Sequence, residues 1–175
     1  MSGGTDRLWV LTGRAGEWQV MRIVALTDRD ATLTADDGAI VTVPLSTTAR
    51  WAASHAVDHD DVGTMDDLHE APLIDLLRRR FDASRIYTWS GDILISVNPF
   101  QPINGMYDLP YAPVDEWRER RAAAVADAKD GTSHADGPPP PPPHVFSVAE
   151  RAWRRLLDAE GDATQAQTSQ LMCGF

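Results

Sequence analysis

A chain of 175 residues and 19.2 kDa has room for one ordinary domain, or for a small one and part of another. Its 43% hydrophobic and 24% charged residues are the mix of a globular protein rather than a disordered one. A net charge of -10 and a pI of about 4.8 argue against nucleic acid and anionic membrane surfaces as partners, since an acidic chain repels phosphate.

The first elements in chain order are strands. Residues 8–11, 17–26, 31–35 and 39–45 are rich in Val, Ile, Thr and Trp and are separated by turn-forming segments at Gly13–Gly16, Asp28–Asp30 and Asp36–Gly38. Asp37-Gly38 between two such runs is a hairpin signal, because glycine tolerates the positive φ of tight turns. Strands this short and this close predict a small SH3-like barrel. Residues 46–65, with the run His55-Ala-Val-Asp-His-Asp-Asp61, read as a polar, acidic connector. A helix follows from Pro72, which is tolerated in a first turn. Leu73, Leu76, Leu77 and Phe81 line one face of it, and Arg78, Arg79 and Arg80 suit its C-terminal dipole.

Ile86–Trp89 and Ile93–Val97 read as strands joined at Ser90-Gly91. The second is apolar except for Ser96, which predicts that both its faces are covered. It ends abruptly on Asn98-Pro99-Phe100. Proline stops the ladder and forces its predecessor out of the helical region, so the chain leaves in a defined direction. Phe100, and later Tyr107, are thrown over the carboxyl end of the strand, where open α/β sheets bind ligands and where a ring can lie on a flat heterocycle. The plainer alternative is a turn with a core aromatic. Residues 115–129 are alanine-rich and helical in pattern, Pro138–Pro143 form an extended polyproline rod, and residues 145–157 form an amphipathic helix with Glu150 and Arg154 as an i,i+4 pair. The tail from Gly161 shows no periodicity.

Catalytic constellations are scarce. His69-Glu70 lacks the second histidine of a metalloprotease helix. The acidic-histidine cluster from His55 to Asp61 has metal-ligand side chains but no framework to fix their geometry, and reads as a solvated run. The sequence holds no Gly-x-Ser-x-Gly elbow, no Gly-x-x-x-x-Gly-Lys-Ser/Thr phosphate loop and no Gly-x-Gly-x-x-Gly. A single cysteine, Cys173, excludes an internal disulfide and any zinc site built from several cysteines. No apolar run reaches the roughly 20 residues of a membrane span, and the N-terminus lacks the layout of a secretory signal. The expectation is a soluble, intracellular protein.

Taken together, Asp66–Gln101, with its Leu-His-Glu helix start, basic-aromatic helix end, Ile-Tyr-Thr strand and Gly-x-Ile-Leu-x-x-Val-Asn-Pro-aromatic strand, resembles the first part of the myosin motor head. Pro142–Leu157, "PPHVFSVAERAWRRLL", resembles the helix that precedes the phosphate loop in that family. The N-terminal strands stand where many myosins carry an SH3-like subdomain. The resemblance implies an α+β and α/β fragment with a small SH3-like β-barrel over residues 4–50. The start of a P-loop motor head would follow over residues 57–175, carrying a Pro-rich insertion at 130–143. It implies that Asn98, Pro99, Phe100 and Tyr107 frame the adenine of ATP. ATP with Mg2+ would be the cofactor, actin filaments the partner, and the cytoplasm and its cytoskeleton the place.

Two departures from the family pattern matter. Between Tyr107 and His144 an alanine-rich helix and six prolines replace a short connector. Those prolines are either a spacer or a ligand for an SH3, EVH1 or profilin-type groove. After Leu157 the sequence does not run into the family's phosphate loop. Adenine contacts without amides and a lysine around the phosphates give neither useful affinity nor phosphoryl transfer, so the chain by itself is expected to show negligible ATPase activity. The rival reading is a non-catalytic binding module that works through the barrel or the prolines.

Overall fold

The computed structural model describes residues 6–13, 17–108, 111–129 and 140–160. The chain forms two units, Met1–Ile86 and Tyr87–Phe175. The architecture is mixed α+β: a five-stranded antiparallel sheet, a two-stranded ribbon and three α-helices.

In the first unit, β1 (Arg7–Thr12), β2 (Glu17–Leu26), β3 (Asp30–Thr34), β4 (Ile40–Pro44) and β5 (Thr48–Arg50) pair in the order β4-β3-β2-β1-β5. Period-2 alternation sorts the faces. Val10, Met21, Ala31 and Leu33 are buried together, with Leu8, Ile23, Val41, Val43 and Leu45 packed around them. Thr32 and Thr42 stand opposite each other and join their hydroxyls at 3.1 Å. A bulge between Ile23 and Ala25 adds local twist to the longest strand. The expected hairpin is present: Gly38 adopts φ +85°, and Asp37 Oδ1 accepts from the Ala39 N–H at 2.9 Å. Five antiparallel strands of this length are compatible with the predicted barrel; among the described residues β4 and β5 stand at the two ends of the pairing order.

Residues 46–65 are more than the solvated connector that their composition predicts. Val62 and Met65 form a second core with Leu76 and Leu73, and His55 is buried. The acidic run is held by cations. Arg80, itself buried, pairs with Asp58 at 3.3 Å and Asp60 at 2.9 Å and donates to the His59 carbonyl, while Arg85 also pairs with Asp58. Both arginines belong to or follow α1 (Glu70–Asp82), whose Arg79 bonds Asp75 and the His55 carbonyl. The helix-end arginines therefore staple the preceding loop as well as meeting the dipole. Composition alone cannot tell acids left in water from acids drawn onto a guanidinium one helix away.

In the second unit, β6 (Tyr87–Ser90) and β7 (Ile93–Ser96) form an antiparallel ribbon. Gly91 at φ +60° opens the two-residue turn between them. The expectation that Ile93–Val97 is covered on both faces is not met. Ile93 is 69% exposed and Leu94 and Ile95 are half-buried, because β7 has one strand neighbour among the described residues. Helix α2 (Ala112–Lys129) starts earlier than the alanine-rich run, since Pro113 is tolerated in a first turn and the Tyr111 carbonyl receives the Val114 and Asp115 N–H groups. Helix α3 (Val145–Glu160) carries the predicted Glu150–Arg154 pair at 2.7 Å. No described helix is long and apolar enough to cross a membrane. Pro138, Pro139 and the tail from Gly161 lie outside the described residues.

Candidate functional site

β7 delivers the chain into Asn98-Pro99-Phe100. The Asn98 side chain folds forward, and its Oδ1 accepts the Phe100 N–H at 2.8 Å. This local turn is the kind that asparagine makes readily. It holds Phe100 at φ +51°, a left-handed conformation that costs a side-chain-bearing residue about 1–2 kcal/mol. The Phe100 ring is 90% exposed. This exposure does not fit a core aromatic: among the described residues nothing packs on the ring to repay the strain. Pro99 is half-buried between two exposed neighbours.

Tyr107 sits after a turn built on Asn104-Gly105, with Gly105 at φ +77° and the Asp108 N–H on the Gly105 carbonyl. Its hydroxyl meets that of Tyr87 at 2.9 Å. The structure thus joins Asn98 to Phe100 but gives Tyr107 to a different cluster; among the described residues no hydrogen bond or ring contact links Tyr107 to Phe100.

That cluster centres on His144, which the sequence places in the Pro-His-Val-Phe stretch without a site role. Its imidazole is 1% exposed and stacks on Tyr111 at 4.2 Å, with Phe146, Tyr87 and Tyr107 at 4.6, 5.1 and 5.9 Å between ring centroids. Nδ1 accepts the Phe146 N–H at 3.0 Å, so the neutral ring carries its proton on Nε2. Among the described residues Nε2 has no hydrogen-bond partner of normal geometry. Burial pushes His144 below the usual histidine value, only partly opposed by the Met106 backbone. Burial likewise pushes Tyr87 and Tyr111 up, and for Tyr87 the bond to Tyr107 adds to the effect. All of these groups stay neutral near pH 7.

Beside the cluster, Tyr111, Val114, Phe146, Ala149 and Trp153 line an apolar groove of about 480 Å³. Its polar wall is one ion-pair chain. Arg118 bonds Asp115 at 2.8 Å and Glu150 at 2.7 Å, and Glu150 also takes Arg154. The Arg118 bond, with Arg154 in support, holds the Glu150 carboxyl below its usual range. The sequence signals for this groove are the amphipathic pattern of α3 and its i,i+4 pair; the partner on α2 is 32 residues away. No group of three or more His, Cys, Asp or Glu among the described residues is arranged to hold a metal. The former candidates have other duties. His55 and His59 bond backbone carbonyls, and His69 caps the Arg50 carbonyl at 2.8 Å.

Residues 59–168 match the family Myosin head (motor domain). The chain is 36% identical over 99 residues to "Myosin IC heavy chain" of Dictyostelium discoideum, covering 57% of this chain and 7% of that protein. It is 32% identical over 105 residues to "Unconventional myosin-Ib" of Homo sapiens, covering 58% and 7%. It is 30% identical over 99 residues to "Myosin-17" of Arabidopsis thaliana, covering 57% and 5%. The matched stretch therefore corresponds to a small share of each relative's length. It contains the Asn98 turn, the His144 cluster and the helix of the groove alike. This chain belongs to the myosin head (motor domain) family, of which it carries an N-terminal portion.

Proposed function

We propose that this chain is the N-terminal part of an ATP-driven motor acting on actin filaments in the cytoplasm, and that it supplies the purine side of the nucleotide pocket. Residues 4–50 are the SH3-like barrel, residues 57–175 the start of the motor head, and residues 130–143 an insertion within it. Asn98 and Pro99 shape the loop, Phe100 offers its ring to the adenine, and Tyr107 borders the pocket from its anchored position on Tyr87.

The observation that carries this reading is Phe100: an exposed aromatic held in a strained backbone conformation by its neighbour's side chain. Strain of this kind persists where the surrounding structure imposes it, and it concentrates at ligand clamps. The chain's own groups fit a flat heterocycle. The sequence contains no phosphate loop, so the residues that would hold the phosphates and Mg2+ are not among these. Bound Mg-ATP would supply the transferable phosphoryl group; the residues described here would only orient its base. The same lack predicts negligible hydrolysis by the 175-residue chain.

Adenosine titrated at millimolar concentration into 15N-labelled protein tests the reading. Shifts confined to residues 97–108 are expected, and they should vanish in Phe100→Gly. Shifts centred on the α2–α3 groove, or none at all, would overturn the assignment. Steady, EDTA-sensitive ATP turnover by the purified chain would overturn the prediction of inactivity.

A further inference from the structure

Trp89 on β6 is 3% exposed, and its indole N–H donates to the Pro141 carbonyl at 2.8 Å. The guanidinium carbon of Arg151 lies 5.0 Å from the centre of the Trp89 ring. Arg151 is itself held by Asp92, in the turn that follows β6. Pro141, Pro142 and Pro143 are half-buried, whereas Pro140 is exposed. The run then passes into His144, locked among its aromatic neighbours.

A polyproline helix has no N–H groups, so its carbonyls are its only hydrogen-bonding handles, and its rings are its apolar surface. Proteins that read such segments present an aromatic groove to the rings, and a donor such as an indole N–H can reach a carbonyl. Trp89 supplies that donor within its own chain. We propose that Trp89, braced by Arg151, is an internal polyproline-reading site that holds the proline run in cis, and that any partner with an aromatic polyproline groove must displace it.

The arithmetic of the run makes the competition complete. Six consecutive prolines contain three Pro-x-x-Pro registers, 138–141, 139–142 and 140–143, and every one includes Pro141. A groove that takes any of these windows claims the residue Trp89 holds. A seventh proline before Pro138 would have provided a window free of it, but that position is Gly137. This inference is independent of the nucleotide reading, since neither Asn98 nor Phe100 takes part in the contact.

Profilin serves as the probe, titrated calorimetrically into the whole chain, into Trp89→Phe, and into a synthetic peptide of residues 134–144. Displacement reduces affinity by the fraction of chain that is free, so the whole chain should bind at least about tenfold more weakly than the peptide. Trp89→Phe keeps a ring but lacks the donor, and should recover most of that difference. Equal affinity for chain and peptide, or a peptide that profilin ignores, overturns the proposal. If Trp89→Phe does not fold, the indole proton decides on the unaltered chain. It should exchange slowly alone and quickly with saturating profilin; fast exchange without profilin, or no change with it, overturns the proposal.

Discussion

Trp9 Nε1 donates to His55 Nδ1 at 3.0 Å, joining residues 46 positions apart, both nearly inaccessible to water. The same Nδ1 also receives the Ala52 N–H at 3.1 Å, and Nε2 reaches the Asp66 carbonyl at 2.8 Å. The imidazole is thus a three-way tie between β1, the loop before it folds back, and the approach to α1. Trp9→Phe removes one donor and should cost about 1–2 kcal/mol. His55→Ala leaves a cavity and unpaired groups on three sides and should cost about 3 kcal/mol or more. Urea denaturation of the two variants checks the order; equal costs would mean that the tie is not made through the ring nitrogens.

Arg80 is buried while Asp60 is 68% exposed, so the two ends of that ion pair should respond differently. Arg80→Met takes the cation from Asp60 and the His59 carbonyl, leaves Asp58 to Arg85, and should destabilise the first unit by about 3 kcal/mol. Asp60→Asn leaves the cation its other partner, and water screens the loss, so the cost should stay below about 1 kcal/mol. Thermal unfolding of both, followed by tryptophan fluorescence, separates the cases. A mild Arg80→Met variant would show that the acidic loop holds itself.

His144 makes the second unit sensitive to acid. Its folded pKa lies below the value of about 6.5 that the unfolded chain would show, because burial disfavours the charge. The unfolded state therefore binds more protons below that pH. The stabilisation is whole above about pH 6.5 and is lost as pH falls through the lower folded value. Protonation of Nδ1 also turns the acceptor of the Phe146 N–H into a second donor. Protection of the first α3 amides, with the intrinsic rate divided out, should begin to fall as pH drops below about 6.5, in excess of the trend elsewhere in the chain. In His144→Phe that excess should disappear; an unchanged pH dependence would assign it to other groups.

Phe100 should separate stability from recognition. A glycine at its position relieves the left-handed strain and loses no packing, since the ring is 90% exposed. Phe100→Gly should therefore raise stability by about 1 kcal/mol while abolishing the adenosine response. A loss of stability in a denaturant titration would mean that the ring has a structural duty.

Local rules made much of this molecule legible. Alternation marked the strands of the sheet, Asp37-Gly38 marked a hairpin, and the leucine spacing marked α1, because each depends on residues within a few positions of one another. Phe100 was reachable too, through proline's effect on the chain direction, although its left-handed backbone was not. What stayed hidden is long-range. The cage of His144 draws on residues 87, 107, 111 and 146, and no periodicity connects them. The polar segment before α1 looked solvated because its cationic partners lie more than 20 residues downstream. Ile93–Val97 reads as a fully covered strand because composition records what a strand is suited to pack against, whereas the exposure of Ile93 records what the described residues supply.

The contact between Trp89 and Pro141 also orders events in time. The β6–β7 hairpin needs only its two-residue turn and should close within about 1–10 μs. Trp89 must then wait for a chain segment of 52 residues to return, a search whose entropic cost grows with loop length. Such a clasp is made late and opens early. On a ribosome the tryptophan is made before its proline, so this bond is absent from the growing chain until Pro141 has emerged.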